Sequence, residues 1–171
     1  MKLLVMSDNH GNWPFVNDLI QKYRQEVDLI LHCGDSEFPA DDPIWDNVDY
    51  VVRGNMDFDP QFRLEQVIET PEGKIYMTHG HLSGVNTSNV RLIEQAQQDA
   101  CQFVFHGHTH ALYAQEHQGI FIANPGSISK SRGPYPHSTY MIVTVEDEGI
   151  QCEYFDLNFQ AISELGQYFN R

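Results

Sequence analysis

Residues 3–12 read Leu-Leu-Val-Met-Ser-Asp-Asn-His-Gly-Asn, an apolar run that ends abruptly in a polar segment containing glycine. The apolar run has the length of a buried strand, and the polar segment is typical of a loop. Residues 13–25 then place apolar side chains at helical spacing, with Asn12 as the N-cap and Pro14 in the first turn. The stretch therefore predicts a strand, a loop and a helix, the unit from which parallel sheets are built.

Two more apolar runs, residues 28–32 and 49–52, are each followed by a glycine and a polar residue. They continue the parallel pattern, whereas the rest of the chain alternates short strands with turn residues, which is typical of antiparallel hairpins. No linker or repeat divides the chain, so we expect one domain over residues 1–171. The elements predicted after residue 62 are strands at 63–70, 74–78, 103–105, 112–116, 120–123, 139–145 and 150–155, and helices at 88–100 and 159–169.

The composition excludes several classes of protein. Hydrophobic residues make up 41% and charged residues 20%, which is typical of a soluble globular protein and not of a disordered chain. No apolar run approaches the roughly 20 residues that span a bilayer. The N-terminal run is too short for a signal peptide, and the three cysteines have no short pair spacing, so we expect free thiols and a cytoplasmic protein. A net charge of −14 repels nucleic-acid duplexes and anionic membranes, and neither is expected as a partner.

Polar loops follow five of the predicted strands, and seven of the nine histidines lie in four of these loops. In α/β sheets, ligands bind beyond the carboxyl ends of the strands, so the loops are expected to converge on one place. The loops read Ser7-Asp8-Asn9-His10-Gly11, His32-Cys33-Gly34-Asp35, Arg53-Gly54-Asn55-Met56-Asp57, Thr78-His79-Gly80-His81 and His106-Gly107-His108-Thr109-His110.

The chemistry of these side chains indicates a metal site. Carboxylate, amide oxygen and imidazole together suit first-row divalent ions. Glycine beside the ligands lets the backbone turn sharply and approach an ion, and one Asp can bridge two ions through its two oxygens. Two ions about 3.5–4 Å apart can clamp a phosphate and activate a water molecule between them. Bound cations would also reverse the local charge of this acidic protein for an anionic substrate.

The order of the motifs resembles that of a known family. The series Asp8-x-His10, Gly34-Asp35, Gly54-Asn55, His79-Gly80-His81 and Gly107-His108-x-His110 looks like the calcineurin-like metallophosphoesterase superfamily, over nearly the whole chain. Asn124-Pro125-Gly126-Ser127 resembles a loop of its small prokaryotic, YfcE-like phosphodiesterase branch. The resemblance implies an α/β (α+β) fold, a four-layer αββα sandwich of two mixed β-sheets flanked by helices. It also implies that Asp8, His10 and His110 bind a first metal ion, that Asn55, His79 and His108 bind a second, and that Asp35 bridges both.

The expected cofactors are therefore two divalent metal ions, with Mn²⁺ favoured and Zn²⁺, Fe²⁺ or Ni²⁺ as alternatives. The expected catalytic residues are Asp35, Asn55 and His81. Much of the superfamily has a His immediately after the Asn, where it helps with the leaving group, but this chain has Met56, which cannot donate a proton. General acid assistance contributes about 10²- to 10⁴-fold, so its absence favours substrates with good leaving groups. We expect His81 or a metal-bound water to take part of the role.

These expectations lead to a metal-dependent phosphodiesterase, in which a bridging hydroxide activated by both ions attacks a small phosphate ester. A phosphomonoesterase or a nucleotide pyrophosphohydrolase on the same site is the first alternative. The second is a non-catalytic scaffold, like the retromer subunit that resembles this branch. The scaffold ranks lower, because every ligand position of the motifs still holds a residue that can bind a metal ion. The family also allows a homo-oligomer.

Other residues of the same loops have structural interpretations. His32 and His106 are expected to pack in the core, and His117 and His137 to lie at the surface. Residues 124–127 are expected to form a rigid turn. Arg53 has two interpretations that the sequence leaves open, because it can position a phosphate or form an ion pair near the site.

Overall fold

A computed structural model describes residues 1–171, which form eleven strands, two α-helices and two short 3-10 turns. The side chain of Asn12 caps the first helix by accepting a hydrogen bond from the Phe15 N–H, and Pro14 lies in its first turn, as predicted. Neither helix has the length and apolar character that a membrane span requires. In chain order the elements are β1 (Lys2–Met6), α1 (Trp13–Tyr23), β2 (Leu29–His32), β3 (Tyr50–Val51), β4 (Glu65–Thr70), β5 (Gly73–Thr78), α2 (Val90–Gln98), β6 (Phe103–Phe105), β7 (Tyr113–His117), β8 (Ile120–Asn124), β9 (Tyr140–Val145), β10 (Gly149–Phe155) and β11 (Gln167–Asn170).

The strands form two mixed sheets. The six-stranded sheet has the order β11-β10-β9-β1-β2-β3, in which β1, β2 and β3 are parallel and the other pairs are antiparallel. The five-stranded sheet has the order β4-β5-β6-β8-β7, in which β5, β6 and β8 are parallel. The antiparallel pairs β4–β5, β7–β8 and β9–β10 confirm the hairpins that the turn residues predict.

The two sheets pack face to face, and helices cover their outer faces. α1 packs on the six-stranded sheet through Leu19 and Ile20, and α2 packs on the five-stranded sheet through Leu92 and Ala96. The order helix, sheet, sheet, helix confirms the predicted sandwich of two mixed sheets. The large side chains buried between the sheets include Leu3, Ile75, Phe103, Phe105, Phe121 and Tyr154.

The loops that follow the parallel strands leave from one edge of the sandwich and are bonded to one another. In the six-stranded sheet, the His10 N–H after β1 donates to the carbonyl of Asp35 after β2, over 3.1 Å. In the five-stranded sheet, the Gly107 N–H after β6 donates to the carbonyl of His79 after β5, also over 3.1 Å. The topology therefore gathers the polar loops at this edge.

The predicted helix at 159–169 is wrong. The chain there forms a 3-10 turn at Ser163–Leu165 and then β11, which pairs antiparallel with β10. The apolar residues do have helical spacing, but Gly166 interrupts the pattern. Pairing with β10 also satisfies N–H and C=O groups that an open sheet edge would leave exposed. Phe169 still covers the core, with its ring centroid 5.3 Å from that of Phe121.

Phe121→Ala is expected to lower the free energy of unfolding by about 3–5 kcal/mol, because its removal leaves a cavity between the sheets. Phe121 is 1% exposed, whereas Phe58 is 85% exposed. Phe58→Ala is therefore a matched control and should change the free energy of unfolding by less than about 0.5 kcal/mol. Urea denaturation followed by circular dichroism measures both variants. Equal effects of the two substitutions would contradict the placement of Phe121 in the core.

Candidate metal centre

The structure brings the seven predicted metal ligands together at the edge where the loops meet. Asp8, His10 and His110 form one group. His110 Nε2 lies 3.1 Å from Asp8 Oδ1 and 3.1 Å from His10 Nε2. Three ligand atoms at such separations can surround a single ion.

Asn55, His79 and His108 form a second group beside the first. Asn55 Oδ1 lies 3.2 Å from His79 Nε2 and 2.9 Å from His108 Nδ1. Asp35 lies between the groups, because its Oδ2 atom is 3.4 Å from His79 Nε2 and 4.0 Å from His10 Nε2. This is the position that a bridging ligand requires.

Hydrogen bonds on the far side of two imidazole rings orient the histidines towards the site. The Nδ1–H of His79 donates to the Cys33 carbonyl over 2.7 Å, and the Nδ1–H of His110 donates to the Lys130 carbonyl over 2.8 Å. Each bond selects the tautomer that leaves Nε2 without a proton and facing the carboxylates. Histidines that bind metal ions are held in the same way.

Asp8 offers a direct test of whether a cation fits the site. Its carboxylate is fully buried, and Oδ1 accepts no hydrogen bond, because His110 Nε2, 3.1 Å away, has no proton in the tautomer whose Nδ1–H donates to the Lys130 carbonyl. A buried charged oxygen without a partner is costly. A divalent cation would satisfy this oxygen, so the residues present fit a bound metal ion.

The pKa values of the site lead to the same conclusion. Burial raises the pKa of the Asp8 and Asp35 carboxyls, but the neighbouring histidines outweigh burial and hold both pKa values below their ordinary range. Burial lowers the pKa of His79, but Asp35 and Asp8 outweigh it and raise that pKa above its ordinary value. Two ionised carboxylates therefore face the His79 imidazole, and they favour positive charge at the place where a cation would bind.

Five of the seven predicted ligands have a left-handed backbone conformation, which residues other than glycine seldom adopt. Such strain persists only where the surrounding structure enforces it, and it is concentrated at functional sites. The five are Asp8 (φ 54°), His10 (φ 44°), Asp35 (φ 55°), His108 (φ 69°) and His110 (φ 56°).

Two glycines allow the ligand loops to pack closely. A Cβ atom on Gly54 would collide with Asp35 Oδ1, and a Cβ atom on Gly107 would lie 2.6 Å from Asp8 Oδ2. Gly54 is thus required by the close approach of a carboxylate, and Gly107 by the close approach of the Ser7 hydroxyl together with the Asp8 carboxylate.

Asp57 organises the site, although the sequence motifs assigned it no role. Its buried carboxylate joins the loop after β2 to the loop after β3 and supports the strained backbone of Asp35. Its position two residues after Asn55 is the signal that marks it in the sequence. The groups that donate to it are the N–H groups of Asp35 (2.8 Å), Ser36 (2.9 Å), Glu37 (2.8 Å) and Gly54 (2.8 Å), together with the Ser36 hydroxyl (2.9 Å).

Two further polar residues that the motifs missed contact the histidine ligands. Glu37 Oε1 lies 2.7 Å from His10 Nδ1, which leaves His10 Nε2 to face the site. Asn86 Nδ2 lies 3.1 Å from His108 Nε2. Both residues lie in loops, where acidic and amide side chains are common, so nothing in the sequence distinguished them.

Residues 124–127 connect two of the ligand loops, which agrees with the rigid turn predicted there. The Asn124 amide donates to the Gly107 carbonyl over 2.9 Å, and the Ser127 hydroxyl donates to the Asp8 carbonyl over 2.8 Å. The segment therefore supports the backbone of the loops that carry Asp8, His108 and His110.

His32 and His106 are fully buried, as predicted. His32 Nε2 lies 2.8 Å from Asn9 Oδ1, and its Nδ1 accepts the Gly34 N–H over 3.1 Å. His106 is hydrogen bonded to the Tyr113 hydroxyl. Burial lowers the pKa of each imidazole to about 4, so both are neutral supports of the site.

His81 lies at the edge of the second group, with its ring centroid 5.4 Å from that of His79 and 6.2 Å from that of His108. Its Nδ1 atom is buried and has no hydrogen-bond partner. Burial, the neighbouring histidines and the charge of Arg53 together lower its pKa. Arg53 takes part in none of the ion pairs of the structure, so one of its two predicted roles is not realised.

A cluster of carboxylate, amide and imidazole ligands, carried at one edge of this sandwich, places the protein among the metal-dependent phosphoesterases. A family model agrees, because the calcineurin-like phosphoesterase superfamily domain matches residues 1–148. The chain belongs to this superfamily, and it is thus a hydrolase of phosphate esters in a family that uses divalent metal ions.

Individual relatives also match most of the chain. The probable metallophosphoesterase YsnB of Bacillus subtilis is 32% identical over 171 residues, which is 100% of this chain and 98% of that protein. The phosphodiesterase YfcE of Escherichia coli is 28% identical over 167 residues, with 83% of this chain and 87% of that protein covered. The crystal structure of a conserved uncharacterized protein of Streptococcus pneumoniae, described as a predicted phosphoesterase, is 34% identical. Its TM-score is 0.96, and the match covers 99% of this chain and 97% of that one.

Asp57→Asn is expected to lower the free energy of unfolding by about 2–4 kcal/mol, because the new amide N–H₂ would face backbone N–H groups that need an acceptor. Asp41→Asn is the control, since Asp41 is exposed. Chemical denaturation of both variants measures the difference. An Asp57→Asn protein as stable as the Asp41→Asn protein would show that the carboxylate does not hold the loops together.

Proposed function

We propose that this protein is a phosphodiesterase that binds two divalent metal ions through the seven clustered residues. The position of Asp35 carries the proposal, because one carboxylate oxygen faces a histidine of each group. Asp8, His10 and His110 would hold one ion, Asn55, His79 and His108 would hold the other, and Asp35 would be shared.

Bound divalent ions supply positive charge to the phosphoryl oxygens and lower the pKa of a water molecule held between them. The residues of the chain prepare the site for that chemistry. The Met56 N–H donates to Asp35 Oδ1 over 2.7 Å, which leaves Oδ2 to face the histidines. The exposed Asn55 has an amide N–H₂ that can donate to a phosphoryl oxygen. His81, whose ring lies beside those of His79 and His108, would donate a hydrogen bond to the leaving oxygen.

The proposed ligand set contains two carboxylates, one amide oxygen and four imidazoles. Mn²⁺ is our first assignment, because carboxylate and carbonyl oxygens suit it well. Zn²⁺, Fe²⁺ and Ni²⁺ remain alternatives, since imidazole suits them equally and availability decides between metals of similar affinity.

Met56 favours a diester over a monoester with a poor leaving group. It occupies the position of a proton-donating His in much of the superfamily, and a thioether has no proton to give. The name of the relative YfcE, a phosphodiesterase, supports the same choice. A nucleotide pyrophosphohydrolase is the second candidate, because a pyrophosphate linkage also has a good leaving group and would need little protonation.

Asp35→Asn is expected to lower kcat for bis(p-nitrophenyl) phosphate by at least about 100-fold with saturating Mn²⁺, because it removes charge from the shared position. His117→Gln is the control and should retain full activity, since His117 is exposed on the turn of the β7–β8 hairpin. Release of p-nitrophenolate measures both. The absence of turnover by the unaltered protein with every one of Mn²⁺, Zn²⁺, Fe²⁺ and Ni²⁺ would count against the proposed function.

Metal affinity is expected to fall as the pH is lowered through the pKa of His79. The raised pKa of this residue means that an incoming ion must displace its proton, whereas Asp8 and Asp35, with lowered pKa values, are already ionised. Calorimetric titration with Mn²⁺ in two buffers of different ionisation enthalpy gives the number of protons released. That number should increase towards lower pH and be smaller for His79→Gln. Proton release that does not change with pH or with this substitution would exclude His79 as a ligand.

A further inference from the structure

Three buried side-chain polar atoms in the protein lack a hydrogen-bond partner, and all three belong to the loops of the candidate metal centre. Asp8 Oδ1 is explained by a cation. The other two are Arg53 Nε and His81 Nδ1. Arg53 Nε always carries a proton, so a metal ion cannot satisfy it, and the His81 ring can donate a hydrogen bond through a protonated Nδ1. Whereas Asp8 needs a cation, these two groups need a hydrogen-bond acceptor that carries negative charge.

Arg53 has no such partner within the protein. The chain carries 24 acidic residues and 10 basic ones. Its lysines and arginines form three ion pairs, none of which includes Arg53: Arg24 with Asp49, Lys74 with Glu69, and Arg171 with Glu72. An unpaired, partly buried guanidinium is unexpected in so acidic a chain, because its desolvation is not offset. Its planar array of donors matches the oxygens of a phosphate.

The position of Arg53 relates it to the metal centre. It directly precedes Gly54 and Asn55, and its backbone N–H donates to the Arg63 carbonyl over 2.7 Å, which anchors this end of the loop. Arg63 lies two residues before Glu65, which pairs with Thr78 in the β4–β5 hairpin, so the Arg53 loop begins beside the loop that carries His79 and His81. The His81 ring lies beside those of His79 and His108. Arg53 and His81 therefore lie in neighbouring loops next to the second ligand group.

We propose that Arg53 and His81 form a subsite for a second phosphate of the substrate, attached to the leaving group. The inference rests on the proposed function, which places His81 beside the leaving oxygen. It narrows the substrate class to phosphoanhydrides, in which the leaving group is itself a phosphate, as in the pyrophosphate linkage of the second candidate function.

Met56 supports this assignment independently. In the reaction, the oxygen of water bonds to phosphorus, the bond from phosphorus to the leaving oxygen breaks, and that oxygen keeps the electron pair. An alkoxide would need a proton at this step, which Met56 cannot give. A phosphate leaving group is a weak base that stays ionised near neutral pH, so it needs charge stabilisation from Arg53 and no proton. The proton released by the water passes to solvent.

Calorimetry with the Mn²⁺-loaded protein at fixed excess Mn²⁺ tests the subsite, and a phosphate assay after each titration verifies that the pyrophosphate is still intact. The probes are pyrophosphate, which occupies both phosphate positions, and inorganic phosphate, which occupies one. Arg53→Gln is expected to weaken pyrophosphate binding by about 10- to 100-fold, the contribution of one hydrogen bond to a charged group. It should weaken phosphate binding by less than about 3-fold. Arg53→Lys keeps the charge and should show a smaller loss, and Arg91→Gln, on the exposed face of α2, should show none.

Equal weakening of both probes, or no effect on either, would overturn the proposal, as would pyrophosphate binding no tighter than phosphate binding in the unaltered protein. Circular dichroism verifies that each variant is folded. If Arg53→Gln does not fold, the binding measurements on Arg53→Lys replace it. A protein that shows the Arg53-dependent preference but hydrolyses no diester would retain this subsite and lose the proposed phosphodiesterase function. A protein that hydrolyses the diester but shows no Arg53-dependent preference for pyrophosphate would retain the proposed function and lose this subsite.

Discussion

Two carboxylates, Asp8 and Asp35, lie at the edge where the two sheets meet, and burial removes much of the water that would stabilise their charge. Both lie within 4 Å of one imidazole nitrogen, His79 Nε2. Negative charges so placed require positive charge nearby, and the acidic surface of this protein does not supply it. The two carboxylates raise the pKa of His79, and divalent cations bound here would supply the positive charge that the carboxylates require.

The fold supplies the rigidity that such a cluster needs. Parallel neighbours in each sheet deliver five loops to the same edge, and hydrogen bonds join these loops across the interface between the sheets. Five of the seven proposed ligands have a strained, left-handed backbone, and hydrogen bonds from Asp57 and from residues 124–127 support these loops. Strain of this kind is retained where geometry matters more than local stability. The fold itself therefore holds these side chains close together.

The sequence predicted those parts of the protein that depend on local patterns. Apolar runs marked the strands, turn residues marked the hairpins, and the order of the motifs marked the ligands that the structure brings together. It failed for β11, because pairing with β10 overrides the helical spacing of the last apolar residues. It also missed Asp57, Glu37 and Asn86, whose contacts depend on distances between loops. The sequence also left two interpretations of Arg53, a contact with phosphate and an ion pair. The structure decides between them, because the absence of an ion-pair partner depends on distances between side chains.

The central claim is that seven residues hold two divalent ions with Asp35 between them. An anomalous difference map from a crystal of the Mn²⁺-loaded protein, recorded near the manganese absorption edge, tests it most directly. The account predicts two peaks, one beside Asp8, His10 and His110 and the other beside Asn55, His79 and His108, with the Asp35 carboxylate contacting both. A single peak, or two peaks of which Asp35 contacts one or neither, would contradict it.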